Sequence, residues 1–520
     1  MILSRSVMNS YRNHYLKIYL WKAVSIFLGF VSLFIVIPYL SSDKILYGIY
    51  SVCTSLTIFF SYADLGFLSS GTKYAAEYYI KGDYVNEVKV IGFTAFFMAI
   101  IFMIVDLVIL FLAINPQILI PELIIDGPQF VIARKLLFLL AAGCPLIIGQ
   151  RVLQVIYIVR VEEYKFQKIS IIGSILKIFS VFLFFRNGLY NIVGYYLFYQ
   201  VINLLIIFVA FFGIKQYGYK FRDFIKSFKF NKHIFDQEKA LSLSSFVFML
   251  SMMLYNELDQ IAISNMFGVN VVSIYAIAFS IMTYMRTYSG LIYSPFIARF
   301  NHFTGVGDYK GLIQFTKRII IVFGPILIIP LLNVALYADA FVVSWVGEEY
   351  ASSAILISWM VMSYGVNFIT TPLTSYMTAM EKNRKIVIGA ILLPVIYWCG
   401  IIFLSKFMGY QSFAIMKFLG PTLLVYYYWK VIMKDIKRLK IEFIKFKELF
   451  VLLIPPIIVS VVLSFVIKPI LCYSYGIKSL LFNIVFIIVG IIVTFLSALI
   501  FNKGLRYVVA SNLKSILFRK

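Results

Sequence analysis

The 520-residue chain is 62% hydrophobic and 13% charged, whereas soluble domains run at roughly 45–50% apolar and about 25% charged. A soluble globular fold is therefore excluded. The formal net charge of +24 invites a nucleic-acid partner, but the basic residues are spread over short loops between apolar runs. Such a spread encodes membrane topology and attraction to anionic lipid, so no nucleic-acid binding is expected.

A membrane span needs roughly 20 mostly apolar residues. Fourteen runs of about that length follow one another: 18–40, 46–70, 89–114, 136–159, 169–185, 189–213, 239–263, 271–294, 318–338, 351–380, 385–405, 411–430, 449–468 and 478–502. An even count puts both termini on one side. Alternate loops, with the termini, hold 35 of the 47 Lys and Arg, against 7 in the opposite loops. By the positive-inside rule the termini are cytoplasmic, and a missed span would invert the bias in every later loop. This predicts a multi-pass membrane protein with both termini cytoplasmic. The first run is too long for a signal peptide and no small-residue cleavage site follows it.

Two long basic loops, Lys215–Lys239 and Lys430–Glu448, alternate basic and apolar residues as helices lying on a membrane surface do. Each follows six spans. The predicted architecture is all-α and polytopic, with lobes over 1–238 and 239–448 and two further helices in 449–520. The lobes are faintly self-similar at a shift of about 226 residues, where Lys73 falls on Arg299 and "IVIPYLSSDKILYGIYSV" on "IAISNMFGVNVVSIYAIA". That pattern suggests parallel repeats about an axis along the membrane normal.

Cys53, Cys144, Cys399 and Cys472 show no metal-ligand spacing, and His14, His233 and His302 fall in loops. No metal, cofactor or intramembrane histidine relay is expected. Charges inside spans carry more information, because their cost in hydrocarbon marks a pathway, a pair or a hydrated edge. Lys22 is near an edge and can snorkel. Arg286 shares a helix face with Thr283, Ser289, Gly290 and Tyr293; Lys177 shares one with Ser170, Gly173, Ser174 and Ser180. Arg151 has Gln154 nearby, Asp64 follows Thr57 and Ser61, and Lys417 adds a fifth cation. Polar stripes around charges suggest an aqueous, cationic lumen holding Arg286, Arg151, Lys177 and Lys417, whose natural guest is a phosphate headgroup. Pairing of these cations with Asp64, Asp106, Glu257 and Asp259 is the bland alternative. Asp106 has only apolar neighbours along its helix and reads as a partner or a neutral acid. Glu257 and Asp259 read either as a hydrated outer edge or, with Asp64, as ion-coupling acids.

The segment "DQIAISNMFGVNVVSIYAIA", with Asp259, Gly268, Tyr275 and Ala278, resembles the seventh-helix motif of polysaccharide flippases in the multidrug/oligosaccharidyl-lipid/polysaccharide (MOP) superfamily. Gly48 and the Asp64-Leu65-Gly66 run resemble that family's second-helix pattern. The resemblance implies two six-helix lobes around a central cavity, alternating access, and a hinge role for the Asp259 stretch. It implies flipping of an undecaprenyl-diphosphate-linked oligosaccharide (an O-antigen or capsule repeat unit) across the cytoplasmic membrane, as O-antigen flippases of the Wzx type do. H+ or Na+ would be the coupling ion, and a glycan polymerase and chain-length proteins would be companions. No catalytic residue is expected. An ion-coupled drug antiporter of the same fold is the alternative, although such proteins place a carboxylate in the first helix, where Lys22 stands here. A membrane glycosyltransferase or polymerase would draw on Glu122, Asp126, Asp339, Glu348 and Glu349 in short outer loops. Reporter fusions after Phe230, Trp345, Lys440 and Ser515 should read in, out, in and in. An outside signal at Lys440 would break the fourteen-span topology.

Overall fold

The computed structural model describes residues 5–507 except 63–65, 187, 294–295, 306 and 440–441. Every regular element described is helical. Contacts divide the chain into two compact units, Met1–Ser273 and Ile274–Lys520.

The first unit contains α1 (Arg5–Leu40), α2 (Lys44–Ser55), α3 (Thr57–Tyr62), α4 (Phe67–Ile80), α5 (Tyr84–Ile114), α6 (Pro128–Val159), α7 (Glu163–Phe184), α8 (Ile192–Ile214), the short α9 (Phe221–Ser227), α10 (Lys232–Asn256) and α11 (Asp259–Phe267). Next comes α12 (Val269–Tyr293), which runs across the boundary. The second unit continues with α13 (Ile297–Gly305), α14 (Tyr309–Leu336), α15 (Ala338–Val346), α16 (Ser353–Gly365), α17 (Asn367–Ala379), α18 (Asn383–Met408), α19 (Gln411–Leu439), α20 (Phe446–Ile467) and α21 (Ile477–Phe501).

Among the described residues, twelve helical segments are long and apolar enough to span a membrane, so the chain is a multi-pass membrane protein. They coincide with twelve of the fourteen runs expected from sequence. The other two runs are helical as well, with identifiable departures. The run at 46–70 is split into α2, α3 and α4, and Gly66 enters α4 from the left-handed region at φ 80. The run at 411–430 lies in α19, whose polar content (Lys417, Lys430) and Pro421 dilute its apolarity.

The internal repeat is written in the turns. At the α4–α5 corner, Gly82 (φ 71) donates to the Tyr79 carbonyl and Asp83 to that of Tyr78. At the α13–α14 corner, Gly307 (φ 73) donates to Thr304 and Asp308 to Phe303 in the same pattern. Asp83 and Asp308 then cap their helices, accepting from Asn86 and Gly311 N–H groups. Further on, Val161 (φ 57) and Glu381 (φ 54) occupy equivalent left-handed turns before α7 and α18. Buried Tyr157 and Tyr376 precede them by four and five residues respectively. The two units thus repeat the same corners.

Prolines inside spans are tolerated only where the carbonyl they free finds another donor. In α14, Pro325 and Pro330 free the carbonyls four residues earlier, at Ile321 and Ile326. The Asn502 amide donates to the Ile321 oxygen at 2.9 Å, and the Tyr288 phenol donates to the Ile326 oxygen at 2.8 Å. In the C-terminal hairpin, the buried Asn483 amide donates to the Ala340 carbonyl (3.1 Å), Ser344 hydroxyl (3.1 Å) and Cys472 carbonyl (2.8 Å). Its own oxygen accepts from the Cys472 N–H at 2.9 Å. Ser460, Thr494 and Asn333 form a second buried polar contact joining α20, α21 and α14. These bonds fasten α20 and α21 to the second unit.

The proline geometry makes a double-mutant prediction. Tyr288→Phe should cost about 1–3 kcal/mol by orphaning the Ile326 carbonyl. In a Pro330→Ala background, where a backbone N–H returns, the same change should cost close to nothing. Denaturant unfolding of the purified protein reads the cycle, and equal costs in both backgrounds would refute the assignment.

Candidate functional site

Within the first unit, Lys177 is the best-defined intramembrane cation. Residue spacing on α7 turns it toward α8, where its Nζ donates to Asn203 Oδ1 at 2.7 Å and lies 3.5 Å from the Tyr199 ring centroid. The Asn203 amide donates in turn to Gln200 Oε1 at 3.0 Å, and the Gln150 amide of α6 donates to the Asn203 carbonyl at 3.3 Å. Gly143 gives Gln200 its room, since a Cβ there would lie 2.6 Å from the Gln200 amide. Tyr199 stacks on Tyr196 (6.1 Å, 14°), which meets Tyr50 of α2 edge-on, with Tyr195 also beside Tyr50. The ammonium is held by a neutral amide and an aromatic face and, among the described residues, no carboxylate contacts it. A cation held this way keeps its charge available to an anion.

Arg151 and Gln154 lie on α6 as the sequence places them, and the Gln154 amide donates to Glu163 at 3.2 Å. Arg151 is half-buried. In the second unit, Arg286 Nε donates to the Tyr364 hydroxyl at 2.9 Å. One turn along α12, Ser289 accepts from the Asn367 amide, and Asn367 Oδ1 accepts from Thr370. Arg286 and Ser289 thus meet polar groups of α16 and α17. Lys417 is 1% exposed, more deeply enclosed than its sequence context suggested, with Nζ 4.6 Å from the Tyr397 ring. Lys177, Arg286 and Lys417 each lie against tyrosine or amide groups.

The carboxylates fall differently. Asp64 lies outside the described residues. Glu257 and Asp259 are 7% and 0% exposed, so the hydrated-edge expectation gives way to burial. The reason is a helix break: α10 ends at Asn256 with Glu257 as its cap, and Asp259 opens α11. There the N-terminal dipole favours negative charge. Asp106 is half-buried, with one carboxylate oxygen buried and without a partner among the described residues. Two of the acids available to an enzyme reading have other work. Glu122 accepts from the Val269 N–H at 3.1 Å and sits against Gly268 (φ 84), capping α12. Asp339 pairs with Lys468 at 2.8 Å.

Sequence reasoning overlooked a buried ion pair at the end of α6. Arg160 donates to Glu87 at 2.8 Å, with side chains only 7% and 2% exposed. Its guanidinium also donates to the Tyr219 hydroxyl at 2.7 Å and lies 4.8, 5.1 and 4.5 Å from the Tyr79, Tyr217 and Tyr219 rings. Arg160 had been one more loop cation. The tyrosine-rich "KQYGYK" run after α8 was the signal available, since aromatic faces among lysines are places where a guanidinium stacks.

No family model and no curated relative matches the chain. Solved structures do. The lipid II flippase MurJ, in an inward closed conformation, superposes with a TM-score of 0.68 at 14% identity, over 94% of this chain and 99% of MurJ. An inward-facing multidrug resistance MATE family transporter of the MOP superfamily gives 0.56 at 15% identity, over 80% of this chain and 95% of the other. A MOP superfamily transporter from Pyrococcus furiosus, described as having a binding pocket of reversed polarity, gives 0.51 at 13%, over 81% and 96%. The chain is a multi-pass membrane protein with the fold of the MOP superfamily, whose solved members here are transporters and flippases.

Proposed function

We propose that this protein flips a lipid-linked oligosaccharide carrying a diphosphate, of the undecaprenyl-diphosphate class that builds O-antigen or capsule, from the cytoplasmic to the outer leaflet. The observation that carries the reading is Lys177, an intramembrane ammonium held by Asn203 and Tyr199 instead of a carboxylate. Such a charge is costly in a span and persists where it serves a guest. Around it, Tyr50, Tyr195, Tyr196 and Tyr199 offer flat faces with polar tips and Gln200 an amide, groups that suit a sugar. Arg286, Arg151 and Lys417 are the further basic contacts we assign to the substrate. The superposition on a lipid II flippase over nearly its whole length supports a lipid-linked substrate.

A drug antiporter of cations fits less well. The first helix contains Lys17 and Lys22 and no acid, and a cationic guest would be repelled by the charges just described. With both termini cytoplasmic, the chain would reside in the bacterial inner membrane, with a polymerase and chain-length proteins acting on its product. Asp259, Glu257 and Asp64 would take part in the hinge or in coupling to H+ or Na+.

Each charge-assisted contact to phosphate is worth about 1.5–3 kcal/mol. Lys177→Gln and Arg286→Ala should therefore each slow flipping of an undecaprenyl-diphosphate-linked glycan in proteoliposomes by about ten- to a hundredfold. Arg286→Lys should retain part of the rate. In the native host, deletion should leave the lipid-linked repeat unit on the cytoplasmic leaflet. Wild-type rates for both variants at normal protein level would overturn the cationic-site assignment.

A further inference from the structure

The first turns of α10 contain an acid that none of these roles uses. Glu238 is 0% exposed and lies on the seam between α10 and α4. Phe67 of α4 stacks on Phe235 of α10 (6.0 Å, 15°), Phe97 closes over both, and the Tyr74 phenol donates to the Gln237 carbonyl at 3.2 Å. At the centre of this apolar contact, Glu238 Oε2 lies 3.1 Å from the Ser70 hydroxyl. Its other oxygen, Oε1, is buried and without a hydrogen-bond partner among the described residues. Ser70 Oγ is also 3.2 Å from the Phe67 carbonyl.

We propose that Glu238 is a proton-binding site whose proton latches α10 to α4. When protonated, the carboxyl O–H donates to Ser70 Oγ and the serine hydrogen passes to the Phe67 carbonyl, so the polar atoms form one chain through the seam. When ionised, the serine hydrogen must turn to the carboxylate, leaving a buried anion with one donor and a bare second oxygen, an arrangement that is strongly unfavourable. Parting the seam hydrates Glu238 and releases one proton to water; closing it takes one up.

Among the described residues, the neighbours supply no countercharge. On α4, Lys73 pairs with Glu77 at 3.9 Å and Tyr74 is bound to Gln237; on α10, Lys239 pairs with Asp236 at 2.6 Å. Of the other helices that meet α10, the described side chains of α3 are Thr57, Ile58, Phe59 and Phe60 and carry no charge, and α5 meets it through Phe97. Burial accordingly pushes the Glu238 carboxyl up from an ordinary 4.5 to about 8, against a smaller downward pull from Ser70. Because the folded value is raised, the folded state binds more protons between these limits. Stability from this group is full below about 4.5 and is lost as pH rises toward about 8.

The place of this latch in a transport cycle rests on the proposed function, but its test needs no substrate. SDS-titration unfolding of the purified protein in detergent is compared for wild type and Glu238→Gln from pH 5 to 9. The wild-type folded-to-unfolded ratio should fall about tenfold per pH unit relative to the variant through this window. Infrared difference spectra at pH 6 should show a protonated-carboxyl C=O band that Glu238→Gln lacks. Identical pH slopes, or the absence of that band, would overturn the proposal. Ser70→Ala retains the acid and reads the same site where Glu238→Gln fails to fold. Loss of the hydroxyl that steadies the anion should move the titration midpoint to higher pH, and an unmoved midpoint would also refute the latch.

Discussion

Hydrocarbon offers no hydrogen bonds, so a spanning chain must satisfy each main-chain polar group from within. Where α14 carries two prolines, the constraint becomes visible atom by atom: a phenol and an amide, from Tyr288 and Asn502, stand in for the N–H groups that proline removed. Where α12 begins, a carboxylate from Glu122 supplies the cap. At the C-terminal hairpin Asn483 makes four bonds at once. The same rule sets the cost of the buried charges. Lys177 is tolerated because Asn203 and an aromatic face replace part of its hydration.

Much of the architecture was legible because its signals are periodic and long. Apolar runs of membrane length and the alternation of basic loops identify spans even where boundaries slip by a few residues. The weak 226-residue similarity is matched in the structure by corners repeated 225 or 220 residues apart, as with Gly82 and Gly307 or Val161 and Glu381. A left-handed valine is invisible to a reading that expects glycine there, because the turn's hydrogen bonds, and not the side chain, hold it. The breaks within α2–α4 and between α10 and α11 were hidden for a related reason. Hydropathy averages over a break that two or three residues create.

The candidate site was legible by residue type and less so by environment. Lys177 and Arg286 were chosen for the polar stripes beside them; Ser289 of the Arg286 stripe meets Asn367 of another helix, whereas Ser174 and Ser180 beside Lys177 bond to their own helix backbone. The main partners of the two cations, Asn203, Tyr199 and Tyr364, come from other helices at separations of 22–78 residues, which no helical spacing encodes. Asp259 and Glu257 were placed by distance from a span end, a measure that fails when the helix itself breaks at that point. Arg160 and Glu87 lie just outside the apolar runs at 136–159 and 89–114, where hydropathy carries no signal: burial of a loop residue is a tertiary fact.

Asn502 has a consequence for how the protein is made. The Ile321 carbonyl waits for a donor 181 residues further along the chain. While the ribosome is still delivering those residues, α14 holds this carbonyl without its Asn502 donor, and only arrival of α21 and the Asn502 that follows it supplies the bond. Quality control that senses unmet polar groups in the membrane would therefore find the second unit vulnerable until Asn502 arrives. A nonsense codon just before Asn502 would leave every span present and this wound open.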